Sequence, residues 1–297
     1  MTTPTSTART LVMGARDGIG RQLLSRFVDA DLPVRASSRS PHGLAAGIDS
    51  VRADLTDPRS LHAAFDGVAR AFIFANPHGV DGVIDAARAA GLERLVLLSS
   101  GSVLHPSSAG NVIAEEHRAV EEAFAAAPDL TVIPLRPLVL ASNSLAWAEP
   151  IRRARSLDLY RPDAVTAPIH ERDIADVAFA ALTGALDPRL SDILTGQERL
   201  SQREQVAIIG ATVGRDIAIT ELDREQARER FGRFSGAAEA EAILQFLDDA
   251  DAGNSLSTET VSHLLGREAT SFARWASDHR TDFAWVHRGR AGRAPSM

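Results

Sequence analysis

Thr10-Leu11-Val12-Met13 running into Gly14-Ala15-Arg16-Asp17-Gly18-Ile19-Gly20 is the stretch on which the fold turns. A short apolar run stops at a glycine turn, and residues with helical spacing follow from Ile19 to Ala30. Glycines at a strand-to-helix turn let the backbone approach a pyrophosphate, whose charge then rests on the unpaired N–H groups of the helix start. The same glycines also suit a tight turn without a ligand, so the motif gains meaning only from its surroundings.

Those surroundings alternate strands with helices. Val34 to Ser37, Val51-Arg52-Ala53, Ala71 to Ala75, Arg94 to Leu98 and Thr131 to Leu135 each carry an apolar run of strand length. Between them, Asp57-Pro58 caps and starts a helix, Val80 to Ala90 stops at Gly91, and Ala114 to Ala127 continues the series. Near-continuous apolar strands separated by helices predict a parallel sheet covered on both faces. The fold class is therefore α/β, a doubly wound Rossmann-like parallel sheet with a smaller, mainly helical C-terminal substrate lobe. The boundaries predicted are 8–142 for the nucleotide domain and 143–286 for the lobe, with a segment near 190–195 returning to the sheet. Asp173 to Thr183 reads as a helix capped by Asp173, and Ser201 with Glu204 has capping-box spacing. Ile217 to Glu221 reads as a short strand, and residues 287–297 as a disordered basic tail.

Composition limits the function classes. The 297 residues include 44% apolar and 24% charged side chains, ordinary for a globular chain. A net charge of −7 with scattered arginines argues against nucleic acid as a partner. No cysteine is present, which removes disulfides, thiolate nucleophiles and cysteine metal sites. The nine histidines have no paired metal spacing, and no GxSxG elbow occurs, so neither a metal site nor a serine hydrolase is expected. No apolar stretch reaches the roughly 20 residues of a membrane span, and the polar start lacks a signal-peptide core. A cytoplasmic protein acting on a small molecule is expected, with a homodimer left open.

Cofactor choice is read at the end of the second strand. A carboxylate there would bind a ribose 2′-hydroxyl and select NAD. This chain has Ser37-Ser38-Arg39-Ser40 instead. Ser38 and Arg39, with Arg16 closing from the glycine turn, suit the 2′-phosphate of NADP(H), which a carboxylate would repel. The alternative is that Arg39 is a solvated loop residue.

Several motifs together resemble the NmrA-like proteins, an atypical branch of the short-chain dehydrogenases. They are Met13 to Gly20, Val34 to Arg39, Ala53-Asp54-Leu55, Leu97-Leu98-Ser99-Ser100-Gly101, Glu116-His117-Arg118-Ala119-Val120-Glu121, Leu135-Arg136-Pro137 and Arg172-Asp173-Ile174-Ala175-Asp176-Val177. The resemblance runs from about residue 10 to residue 280. Many members carry Gly-Ala-Thr-Gly-x-x-Gly, whereas Asp17 stands at the second glycine here and Gly18-Ile19-Gly20 is similar to the ordinary short-chain turn. The resemblance implies NADP(H) held by Gly14, Arg16, Asp17, Gly18, Ile19, Gly20, Ser38 and Arg39. It implies Asp54 and Leu55 near the adenine, and Ala75, Asn76, Ser99 and Pro137 at strand ends along the rest of the cofactor. Members include quinone oxidoreductases, ketone or enone reductases, and redox sensors.

Ordinary members of the wider family reduce carbonyls with a Tyr-x-x-x-Lys pair, which this chain cannot form because it has no lysine and one tyrosine. His117-x-x-x-Glu121 takes the lysine spacing, and the tyrosine position falls on Ile113. His117 is the candidate to hold the nicotinamide ribose or pass a proton, although a surface histidine among glutamates has the same pattern. Ser100 is the second catalytic candidate. Ser102, Asn143, Trp147 and Tyr160 are substrate-binding candidates, with Tyr160 in a linker-like stretch and His170 at a strand-helix boundary. A missing acid favours an acceptor that carries its own negative charge, such as a quinone, an enone or another activated carbonyl. The expected function is NADPH-dependent hydride transfer to such an acceptor. The alternatives are a non-catalytic NADP(H) sensor and a cofactor-scaffolded isomerase or cyclase.

Overall fold

The apolar runs between helix-start signals all enter one sheet. The computed structural model describes residues 8–16, 18–40, 47–154, 156–186 and 192–284; Asp17 and the tail 287–297 lie outside them. In the first half, β1 (Thr10–Val12), β2 (Val34–Ser38), β3 (Asp49–Arg52), β4 (Arg70–Phe74), β5 (Arg94–Leu98) and β6 (Val132–Pro137) alternate with helices. The helices are α1 (Gly18–Asp29), α2 (Pro58–Phe65), α3 (Val80–Ala90) and α4 (Val112–Ala125). The second half adds α5 (Ala148–Ala154), β7 (Ser156–Tyr160), β8 (Val165–Thr166), α6 (Glu171–Thr183), β9 (Ile193–Leu194) and β10 (Leu200–Ser201). It ends with α7 (Gln202–Val213), β11 (Ala218–Leu222), α8 (Arg224–Ser235), α9 (Ala237–Asp251), α10 (Thr260–Leu265), α11 (Phe272–Asp278) and α12 (Arg280–Phe283).

The main sheet has seven strands in the order β3-β2-β1-β4-β5-β6-β9, all paired in parallel. Strand order reverses between β1 and β4, which opens a crevice at the carboxyl edge where ligands of such sheets bind. One face is covered by α1 and α6, whose Leu23, Phe27, Ile174 and Ala178 pack against Val12, Phe72 and Val96. The other face carries α2, α3 and α4, with Phe65, Ile84 and Phe124 against Leu11, Ile73 and Leu97. A third cluster around Trp275, Phe272 and Ile209 forms the core of the lobe.

Local signals explain the boundaries. The Asp57 side chain accepts from Arg59 N and Ser60 N with Pro58 in the first turn, and Gly91 ends α3 in the left-handed region at φ 63°. The Ser201–Glu204 box forms as its spacing predicts. Two readings change. Tyr160 belongs to β7, which pairs with β11 in parallel, rather than to a linker. His170, not Asp173, caps α6 by accepting the Arg172 N–H at 3.0 Å through Nδ1. Asp173 is fully buried and binds Arg267 and Thr270 from the C-terminal segment.

Candidate active site

The glycine turn is shaped by close approach. Gly14 has φ +64°, and a Cβ on Gly20 would stand 2.3 Å from the Gly14 carbonyl oxygen, so only glycine lets α1 start this near the turn. A Cβ on Gly14 would meet the Phe74 ring at 2.5 Å. Gly18 has φ +52° with open space around it, and Ile19 is buried in the core beneath. The turn thus presents the N-terminus of a twelve-residue helix to the crevice.

A cleft of about 610 Å³ runs from this turn across the carboxyl ends of β2, β3 and β4. Gly14, Arg16, Ser38, Arg39, Asp54, Leu55 and Asn76 line it, as the sequence suggests, together with Met13, Ser40, Ala53, Thr56 and Phe74. The Arg16 guanidinium donates to the Ser40 carbonyl at 3.3 Å, and the Ser38 hydroxyl to the same carbonyl at 2.6 Å. Arg39 is exposed at the mouth. Arg52, which the sequence gives no reason to select, pairs in register with Ser38 and donates to the Arg39 carbonyl at 3.2 Å. Asp54 accepts from the Thr56 N–H and hydroxyl at 3.0 and 2.8 Å. Those bonds, with the charges of Arg39 and Arg52, hold its carboxyl below the usual carboxylate range. The mouth is therefore cationic beside a fixed carboxylate, a charge pattern that fits an adenosine carrying a 2′-phosphate. Glycine cradle, helix end and cleft volume together fit a dinucleotide.

At the other end, Ala75 and Asn76 follow β4, Ser99 and Ser100 follow β5, and Pro137 closes β6, so parallel strands bring them to one edge. The Ser99 hydroxyl is buried and donates to Glu121 at 2.5 Å. Glu121 also binds Arg136 in bidentate fashion at 2.9 and 2.6 Å, tying α4 to β5 and β6. Ser100 caps the short 3-10 turn Gly101–Leu104, accepting the Ser102 N–H at 3.2 Å, with the two hydroxyl oxygens 2.8 Å apart. His117 lies on α4 with Nδ1 2.8 Å from the Ile113 carbonyl oxygen. A carbonyl only accepts, so Nδ1 carries the proton, and neutral His117 offers a lone pair at Nε2. That lone pair suits a ribose hydroxyl; delivering a proton would require the imidazolium.

The remaining candidates are spread over the lobe. Asn143 is exposed and Trp147 half-buried on the 3-10 segment Ala141–Trp147, where Trp147 packs against the third cluster. Tyr160 is buried, and its hydroxyl donates to Asp248 at 2.6 Å. Burial and that carboxylate push the phenol upward. His170 is 1% exposed, with Nε2 3.4 Å from Asp278. Among the described residues, no group of three His, Asp or Glu side chains is placed to hold a metal, and no helix is long and apolar enough to cross a membrane.

Residues 14–185 match the family described as NAD(P)H-binding. The chain is 35% identical to the (4-alkanoyl-5-oxo-2,5-dihydrofuran-3-yl)methyl phosphate reductase of Streptomyces griseus, over 92% of this chain and 99% of that one. It is 29% identical to the NAD(P)H azoreductase of Xenophilus azovorans, over 92% and 98%. Among solved structures, an NADPH-dependent quinone oxidoreductase of Escherichia coli complexed with NADPH has the same fold, with TM-score 0.74 and 21% identity over 91% of this chain and 99% of that one. With a family match across more than half its length and a relative above 30% identity along nearly all of it, the chain belongs to the NAD(P)H-binding oxidoreductases.

Proposed function

We propose that this chain is an NADPH-dependent reductase of electron-poor conjugated acceptors, namely quinones, enones and related activated carbonyls. When bound, the dihydronicotinamide supplies a hydride to an acceptor carbon, and the acceptor's π electrons move to its oxygen. The carrying observation is the pairing of Ile113 with His117: where a phenol would stand there is an apolar side chain, and the neighbouring imidazole gives its Nδ1 proton to that residue's carbonyl.

Energetics convert that observation into a substrate class. A plain ketone would become an alkoxide whose conjugate acid is about as weak as water, near 15.7. A quinone becomes a phenolate-like anion with a pKa of about 10. The gap of roughly six units is about 8 kcal/mol that a site without a strong acid must otherwise supply. The names of the two relatives support the reading, since an acylated furanone and an azo compound both delocalise an added electron pair. Arg39, Arg16 and Ser38, with Arg52 beside them, support NADPH over NADH. His117 would hold the ribose through Nε2, and the hydrogen-bonded Ser100–Ser102 hydroxyl pair would offer one proton to the acceptor oxygen.

The test is anaerobic NADPH oxidation by the purified protein over a panel of quinones, enones and simple ketones, with NADH in parallel. Turnover of quinones and enones but not of cyclohexanone-type ketones is expected. Simple ketone turnover at comparable rates would overturn the class, and tight NADPH binding without any turnover would replace the reductase by a sensor.

A further inference from the structure

A small, narrow-mouthed cavity lies against Ser102, the outer partner of the Ser100–Ser102 pair. Its volume is about 20 Å³, and Ser102, His105, Asn111, Phe246 and Asp249 are among its lining residues. It lies between the 3-10 turn after β5 with the loop that follows it and α9. His105 is 5% exposed. Its Nδ1 accepts the Ser107 N–H at 3.3 Å, which leaves the proton of the neutral ring on Nε2. That Nε2 and the Oδ2 of Asp249 are both buried, and neither has a partner among the described residues. One group can only donate, the other only accept. Buried groups of this kind are satisfied by ordered water, and a polar cavity of this size holds one molecule.

We propose that His105 and Asp249 hold a single buried water that sets the direction of the Ser102–Ser100 hydroxyl chain, making both residues positioning residues for the reduction. This rests on the reductase reading above. A water receiving the His105 Nε2–H and donating one proton to Asp249 has a second proton for the Ser102 hydroxyl oxygen. Ser102 then directs its own proton to Ser100, 2.8 Å away, whose oxygen already accepts the Ser102 N–H. Ser100 is left with both acceptor sites filled and its proton free to point at the substrate oxygen. Without the water the two hydroxyls have no preferred order, since either can donate to the other. The chain donates a hydrogen bond as charge develops; the proton that finally neutralises the product comes from solvent.

Two measurements test this. In nitrogen NMR of the folded protein, His105 is expected as the neutral Nε2–H form, with a slowly exchanging proton and a cross-peak to bound water. An Nδ1–H form, an imidazolium or a dry cavity would overturn the site whatever the enzyme reduces. In kinetics, His105→Phe is expected to lower kcat about tenfold for cyclohexenone, whose enolate is basic, and less than about threefold for a naphthoquinone, with NADPH affinity unchanged. His105→Gln, which keeps an N–H donor, should restore most of the loss; Asp249→Asn, which offers donors where an acceptor is needed, should behave like His105→Phe. Equal losses on both substrates, or none in folded variants, would overturn the coupling. A wild-type protein that binds NADPH and reduces neither compound overturns the reductase reading and the coupling with it, while the NMR result still decides the cavity.

Discussion

At the scale of single residues, the proposed function rests most on the arginines at the cleft mouth and the imidazole on α4. Replacing Arg39 by Asp removes a guanidinium and places a carboxylate beside the proposed 2′-phosphate. Charge-assisted hydrogen bonds contribute about 1.5–3 kcal/mol, so NADPH affinity should fall roughly 10- to 100-fold, with NADH changing less than about threefold. Titration with both cofactors checks this, and equal losses would detach Arg39 from the phosphate. His117→Ala should slow turnover by about tenfold or more while leaving the melting temperature near that of the parent, because the ring makes one local bond and is partly exposed. Unchanged kinetics would remove His117 from the mechanism. The cationic residues Arg16 and Arg39 were legible in the sequence because they lie in or next to recognisable turns. Arg52 was not, since only strand pairing brings it beside Ser38. Glu121 was legible as a spacing, but its pairing with Arg136 and Ser99 depends on how α4 lies across β5 and β6.

At the scale of elements, local chemistry proved readable and distant pairing did not. Six strands, the helices between them and the caps at Asp57, Gly91 and Ser201 follow from periodicity and turn residues. β7 escaped because its partner is β11, more than fifty residues later, and nothing within Ser156–Tyr160 announces that neighbour. His170 escaped as a cap because Asp is the commoner helix starter. Asp173 was available three residues on, but burial and Arg267 claim it for another purpose. Tyr160 shows what β7 does: its hydroxyl and Arg161 both bind Asp248 on α9, fastening the α8–α9 hairpin to the lobe. Tyr160→Phe removes one of these bonds while Arg161 and Arg224 still satisfy Asp248. The expected cost is about 1 kcal/mol, or roughly 2–4 °C in Tm, with kcat unchanged. A large loss of kcat at unchanged Tm would place the phenol in the reaction instead.

At the scale of the whole molecule, a buried charged cluster joins the last helices to the nucleotide half. The Glu171 carboxylate in the first turn of α6 accepts the Trp275 indole N–H at 3.0 Å and lies 2.6 Å from His279 Nε2. Burial opposes its charge, yet the adjoining His170 and His279 rings outweigh that and hold the carboxyl well below the usual carboxylate range. The Glu171 carboxylate raises His279 above its ordinary 6.5 against partial burial, with Asp282 adding to the effect. A raised histidine contributes stability that is complete below 6.5 and lost as pH climbs through its folded value. A depressed carboxyl contributes stability that is complete above 4.5 and lost as pH falls. Tm should therefore be highest between those two values and decline on both sides, and His279→Gln should flatten the alkaline decline. Trp275 fluorescence follows the same transition, and a Tm profile unaffected by the substitution would show that the cluster does not govern pH stability.

The same return of the chain has a consequence for its birth. Val261 and Ala269 sit in one apolar cluster with Val12, Leu23 and Phe27, and Arg267 locks onto Asp173 and Asp176. A polypeptide leaves the ribosome N-terminus first, so the face of the sheet covered by α1 and α6 stays open until α6 has been translated, and its cluster is completed only when Val261 and Ala269 follow. Nascent chains arrested before α6 should expose that apolar face to chaperones, whereas the opposite face, whose cluster ends at Val132, can close while synthesis is under way.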